Sequence, residues 1–98
     1  MKKIINFSEL EIISKKFQKI KKKIVLCHGV FDLLHYGHIK HFEQAKTKGD
    51  LLVVTVTPNR FVNKGPLRPI FNLQKRMESI AALNCVDYVC PNDFPDAR

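Results

Sequence analysis

No run of apolar residues approaches the length needed to cross a membrane as a helix. No secretory leader is legible either. Met1-Lys2-Lys3-Ile4-Ile5-Asn6 begins with positive charge, but charge returns before an apolar core could form. The cytoplasm is therefore the expected setting. Cysteines are few and odd in number, Cys27, Cys85 and Cys90, which excludes a disulfide scaffold and reads as three reduced, buried small hydrophobes. A zinc site built from Cys85 and Cys90 with a histidine stays open, although the spacing matches no common zinc pattern. Acidic residues are scarce, 9 against 17 Lys and Arg, giving a net charge of +8. Much of that excess sits in Lys15, Lys16, Lys19, Lys21, Lys22 and Lys23, as expected of a solvated helix face running into a linker. Such a surface also attracts polyanions, nucleotides included. No aromatics interleave with the lysines, so a platform for single-stranded nucleic acid finds no support. Internal repeats are absent as well.

What is present fits one small globular domain: 98 residues, 45% of them hydrophobic. Ser8-Glu9-Leu10-Glu11 matches a capping box, and the helix it opens carries Leu10, Ile13, Phe17 and Ile20 at helical spacing. Ile24-Val25-Leu26-Cys27 reads as a buried strand. A helix from about Gly37 to Thr47 closes at Gly49, and Leu51-Leu52-Val53-Val54-Thr55-Val56 is a continuous apolar run typical of a strand covered on both faces. Phe61 to Phe71 reads as a basic loop framed by Gly65-Pro66 and Arg68-Pro69. A helix from about Leu73 to Leu83 and a short strand, Val86 to Cys90, complete the pattern. Strand, helix, strand, helix, strand predicts right-handed βαβ units on a parallel sheet.

The stretch from Cys27 to His38 holds the chemistry. It is a strand-to-helix turn, which in an open α/β sheet lies at the carboxyl edge where ligands bind. His35 and His38, three apart at a helix start, would share a face. Free amides and the positive end of the helix dipole favour an anion there. Imidazoles can donate hydrogen bonds to phosphate oxygens. Metal binding by His35, His38 and His41 is the competing use, with no carboxylate spaced to complete the set.

Gly29-x-Phe31-Asp32-x-x-His35-x-Gly37-His38 resembles the H-x-G-H signature of the nucleotidyltransferase superfamily, which includes the glycerol-3-phosphate and choline-phosphate cytidylyltransferases and the heptose-phosphate adenylyltransferases. The resemblance covers about residues 24 to 91. It implies a Rossmann-like, three-layer α/β/α fold with a parallel sheet. Family members carry further strands and helices, and their later Ser/Thr-rich motif has no counterpart here, so the C-terminal half reads as missing. Residues 1–23 then form an N-terminal amphipathic helix and basic linker, and 24–98 an incomplete nucleotidyltransferase domain.

By the same resemblance, His35 and His38 bind the nucleotide phosphates and stabilise the transition state. Gly29, Val30 and Phe31 offer backbone groups to the nucleotide, Gly29 because a side chain would block the approach. Phe31 itself reads as core. Asp32 is either a helix cap or a contact to substrate or magnesium. Lys64 and Arg68 hold positive charge over the strand edge, and Lys64-Gly65-x-x-Arg68-Pro69 is most similar to the heptose enzymes. Arg76 matches an arginine that faces the nucleotide phosphates. Relatives place an acid after the second strand to contact the acceptor, whereas Thr57-Pro58-Asn59 stands here, and asparagine supplies no charge. The implied reaction transfers a nucleoside monophosphate from ATP or CTP, with a magnesium ion (Mg2+), to a sugar or polyol phosphate. A heptose-type acceptor with ATP comes first, glycerol or choline phosphate with CTP second. A homodimer is implied as partner. A non-catalytic nucleotide-binding or regulatory module is the alternative of another class.

Overall fold

The computed structural model describes residues 2–59 and 71–92. Within them the order is α1 (Phe7–Lys19), β1 (Ile24–Gly29), α2 (Tyr36–Lys46), β2 (Leu51–Val56), α3 (Leu73–Ala81) and β3 (Tyr88–Pro91). The strands form one parallel sheet in the order β1-β2-β3. Parallel neighbours need a crossover between them, and α2 and α3 supply it.

β2 sets the layering. All six of its residues are buried, because helices cover both faces of the middle strand. Side chains alternate along a strand, so Leu52, Val54 and Val56 face one way. They join Cys27, Phe42, Ala45, Met77, Ile80, Val86 and Val89 in the larger core cluster, the one filled by α2 and α3. Leu51 and Val53 face the other way and meet Ile5, Leu10 and Cys90, with Ile13 and Phe17 of α1 packed against them. The result is α1 on one side of the sheet and α2 with α3 on the other: the expected three-layer α/β/α arrangement. The outer edge of β3 is partly covered by the segment before α1. Ile4 bridges Val89 in parallel, with Ile5 N–H donating to Val89 O at 2.9 Å and Val89 N–H to Lys3 O at 2.9 Å. No helix among the described residues is long and apolar enough to cross a membrane.

Several boundaries differ from the sequence reading, each for a physical reason. The capping box of α1 lies two residues earlier than expected. Asn6 Oδ1 accepts from Glu9 N–H (2.8 Å), and Glu9 Oε1 accepts from Asn6 N–H (2.9 Å). Asn6-x-x-Glu9 and Ser8-x-x-Glu11 both satisfy the pattern, and packing decides between them. With Asn6 as cap, Ile5 before it and Leu10 four residues after it both enter the core, which is the hydrophobic-staple arrangement. β1 runs two residues further than expected, because His28 and Gly29 pair through the backbone with Thr55 and Val56. β3 starts later, at Tyr88, since Asp87 is drawn off: its Oδ2 accepts from Leu52 N–H (2.7 Å) and Lys46 Nζ (2.6 Å). α2 begins one residue before Gly37, capped by His35.

Candidate functional site

The turn between β1 and α2 opens at the carboxyl edge of the sheet. His35 is the N-cap of α2, and its Nδ1 accepts from Gly37 N–H at 3.0 Å. His38, in the first turn, returns the bond: its Nδ1 accepts from His35 N–H at 3.3 Å. A capping box made of two histidines follows. A backbone amide can only donate, so each Nδ1 must be an unprotonated acceptor in this arrangement. In the neutral ring the proton is then on Nε2. The two rings lie stacked, centroids 3.9 Å apart at 25°. Each neutral ring thus carries its donor on Nε2, at the positive end of the helix. Burial pushes the His38 imidazole below the ordinary histidine range, and the nearby His35 and His41 push in the same direction. His38 thus stays a neutral donor to lower pH than a free histidine would. A Cβ at Gly37 would stand 2.8 Å from His35 Cε1, so glycine there makes room for the capping ring.

Phe31 holds the turn from behind. It sits at φ 51, in the left-handed region that costs a non-glycine residue about 1 kcal/mol or more. Its ring meets His38 edge-on at 5.4 Å and Phe42 at 5.2 Å, and these contacts help offset the cost. A Cβ on Gly29 would come within 2.8 Å of that ring. Glycine at 29 thus makes room for the Phe31 ring. The carbonyls of Gly29 and Val30 also point to protein partners. Gly29 O accepts from Thr57 N–H (3.0 Å), and Val30 O accepts from Arg76 Nη1 (2.9 Å).

Arg76 is 1% exposed. Its Nε donates to Phe71 O (3.0 Å), Nη1 to Thr57 O (2.7 Å) as well as to Val30 O, and Nη2 to Asn59 Oδ1 (2.7 Å). Burial penalises its charge, and the neighbouring Asp32 carboxylate opposes that penalty. The expected phosphate-facing guanidinium is, in the structure, turned inward onto protein oxygens. Of the two roles expected for Asp32, the cap belongs instead to His35, and Asp32 Oδ1 accepts from Phe71 N–H at 3.0 Å. Lys64 and Arg68 lie outside the described residues.

A family description, cytidylyltransferase-like, matches residues 26–97. The chain belongs to the cytidylyltransferase-like family. Among curated proteins, it is 41% identical over 90 residues to the bifunctional protein HldE of Sulfurimonas denitrificans, covering 90% of this chain and 19% of that protein. Against the HldE of a Nitratiruptor species the identity is 44% over 88 residues, 88% of this chain and 19% of the relative. The chain thus spans about a fifth of the length of the curated relatives it matches. Among solved structures, a lipopolysaccharide core biosynthesis protein from Thermoplasma volcanium superposes with a TM-score of 0.69 at 37% identity, over 76% of this chain and 62% of that one.

In this cytidylyltransferase-like domain the structure brings His35, His38, Phe31, Gly29, Val30, Asp32 and Asn59 to the carboxyl ends of β1 and β2, and Arg76 reaches Val30 and Asn59 from α3. Sequence reasoning missed Thr57 and Phe71, whose backbone groups tie that turn to the ends of β2 and α3. Asn72, which caps α3 by accepting from Lys75 N–H at 2.9 Å, was missed although an asparagine just before an apolar-periodic stretch is a cap signal. His28 was missed too. Its Nδ1 lies 2.8 Å from Thr55 Oγ1 and 3.4 Å from Asn92 Nδ2, on the opposite face of the sheet from Cys27. Cys27 and Cys90 are buried, Cys85 half-buried, and all three are free thiols. No group of three or more metal-ligating side chains is assembled among the described residues.

Proposed function

We propose that the chain is a nucleotidyltransferase domain that moves a nucleoside monophosphate from ATP to a heptose-type sugar phosphate and releases pyrophosphate. The observation that carries this reading is the paired imidazole cap. Two Nε2–H donors, each fixed through its Nδ1 by a backbone amide, stand at a helix N-terminus on the ligand edge of the sheet. Family membership supports the reaction class, and likeness to HldE and to a lipopolysaccharide core biosynthesis protein supports the sugar-phosphate acceptor.

In the proposed step an oxygen of the acceptor phosphate attacks the α-phosphorus in line. A P–O bond forms on one side, the bond to the β-phosphate breaks on the other, and its electron pair leaves with pyrophosphate. His35 and His38 donate to the phosphate oxygens where negative charge builds up, so they do electrostatic work and form no covalent bond. Asn59 is assigned to the acceptor end. Lys64 and Arg68 are assigned to the phosphates as added positive charge. The turn from Val30 to His38 carries one carboxylate, Asp32, already engaged with Phe71. That donor set fits a magnesium ion held chiefly by the triphosphate, which would neutralise phosphate charge when bound. A cytoplasmic setting and a homodimer go with this reading.

The test is pyrophosphate release from ATP or CTP with magnesium and a panel of sugar and polyol phosphates. ATP with a sugar phosphate is the expected pair, and His35→Ala or His38→Ala is expected to cut the rate by about a hundredfold or more. Nucleotide binding without pyrophosphate would favour the non-catalytic module, and turnover of CTP with choline or glycerol phosphate the cytidylyltransferase. Activity that survives both histidine substitutions would overturn the proposal.

A further inference from the structure

The contacts of Arg76 reach further than its burial. They join three segments at the carboxyl edge: the turn after β1 through Val30, the stretch after β2 through Thr57 and Asn59, and the entry to α3 through Phe71. Asp32, close enough to favour the guanidinium charge, fastens the first of these to the third through Phe71 N–H. The contact with Asn59 has a further consequence. Arginine has donors and no acceptor, so the atom 2.7 Å from its Nη2 must be the amide oxygen. The oxygen end of the Asn59 side chain is thereby committed inward, and its NH2 group is the end available at an exposed residue. An amide held this way turns its hydrogen-bond donors to the site, beside a buried positive charge, while its oxygen is bonded to Arg76.

We propose that Arg76 is a positioning residue that locks the Asn59 amide with its Nδ2 hydrogens outward, so that the site selects an acceptor presenting a lone-pair oxygen there and discriminates against a cationic head group. This rests on the nucleotidyltransferase reading above. A hydroxyl or ether oxygen of a polyol or sugar can receive those hydrogens. A quaternary ammonium has no lone pair to offer and meets the positive end of the amide dipole.

Glycerol 3-phosphate and choline phosphate are suitable probes, since both are small phosphate monoesters that differ in the head group. Binding is measured on the whole chain with ATP and magnesium present, by calorimetry and by the 15N side-chain signal of Asn59. Glycerol 3-phosphate is expected to bind about tenfold more tightly, the scale of one well-placed hydrogen bond, and to shift the Asn59 signal. Asn59→Asp keeps an oxygen for Arg76 but turns a carboxylate oxygen outward, and is expected to shift the preference about tenfold toward choline phosphate with ATP affinity held within about twofold. Arg76→Met frees the amide and is expected to collapse the preference. An unchanged preference in Asn59→Asp, or an equal loss for ATP and acceptor, overturns the proposal, and that variant decides the matter if Arg76→Met does not fold. Should ATP leave the Gly37 and His38 amide signals unmoved, the nucleotidyltransferase reading fails and takes this proposal with it. If they respond while Asn59 ignores glycerol 3-phosphate, only the present proposal falls.

Discussion

Gly37→Ala separates the stability of the turn from its binding work. A Cβ at position 37 would lie 2.8 Å from Cε1 and 3.1 Å from Nδ1 of His35, where ordinary contact begins near 3.4 Å. The backbone there is unstrained, and the obstruction is one side-chain ring, so the ring gives way. A retreat of about 0.6 Å removes the overlap. That movement loosens the Nδ1 bond to the amide of residue 37 and the stack on His38. Losing a cap costs about 1 kcal/mol, while alanine in place of glycine in a helix returns up to about 1 kcal/mol. The two offset, and folding stability is expected to change by less than about 1 kcal/mol. Binding has no such compensation. A donor pair misplaced by a large fraction of an ångström is expected to weaken ATP affinity by about tenfold, the scale of one hydrogen bond to a charged group. Calorimetric titration with magnesium and ATP reads the second quantity, and a urea melt followed by circular dichroism reads the first. A Gly37→Ala variant that binds ATP as tightly as the parent would refute the reasoning, and so would one that unfolds like a core-cavity variant.

Phe42→Ala empties a fully buried site and removes the ring on which Phe31 leans, so a loss of about 3 to 5 kcal/mol in urea unfolding is expected. Asp87→Asn keeps an oxygen for Leu52 N–H but weakens the half-exposed pair with Lys46, so a loss of about 1 kcal/mol is expected, shrinking in high salt. Because burial lowers the folded-state value of His38, its neutral form is favoured by folding. Its contribution to stability is therefore complete above the ordinary histidine value and is lost as the pH falls through it toward the lowered folded value. The pH dependence of urea unfolding is expected to show this decline and His38→Gln to flatten it, while an NMR titration places His38 below a free histidine.

β2 was legible to the residue, because a strand buried on both faces needs a nearly unbroken apolar run, and Leu51–Val56 supplies one interrupted only by the β-branched Thr55. The end of β1 was not, because His28 and Gly29 carry no apolar signal and are held by backbone pairing alone. The first cap shows a different limit. Two overlapping patterns were available at Asn6 and Ser8, and the choice depended on Ile5 and Leu10 finding the same core, which local spacing does not record. In the site, the histidine pair and its shared face could be read from four adjacent residues. That histidine itself caps the helix could not, since histidine is no customary cap. The inward turn of Arg76 was hidden for another reason: its acceptors at Val30, Thr57 and Asn59 stand 46, 19 and 17 residues away in the chain. Only the folded sheet brings them together.

The claim most exposed to direct measurement is the state of the two imidazoles. Ring 15N spectra of the protein near neutral pH are expected to show His35 and His38 with a bare Nδ1 and a protonated Nε2, and magnesium with ATP is expected to shift both Nε2 signals while each Nδ1 stays on its amide. Protons found on Nδ1, or Nε2 signals indifferent to ATP, would contradict the account.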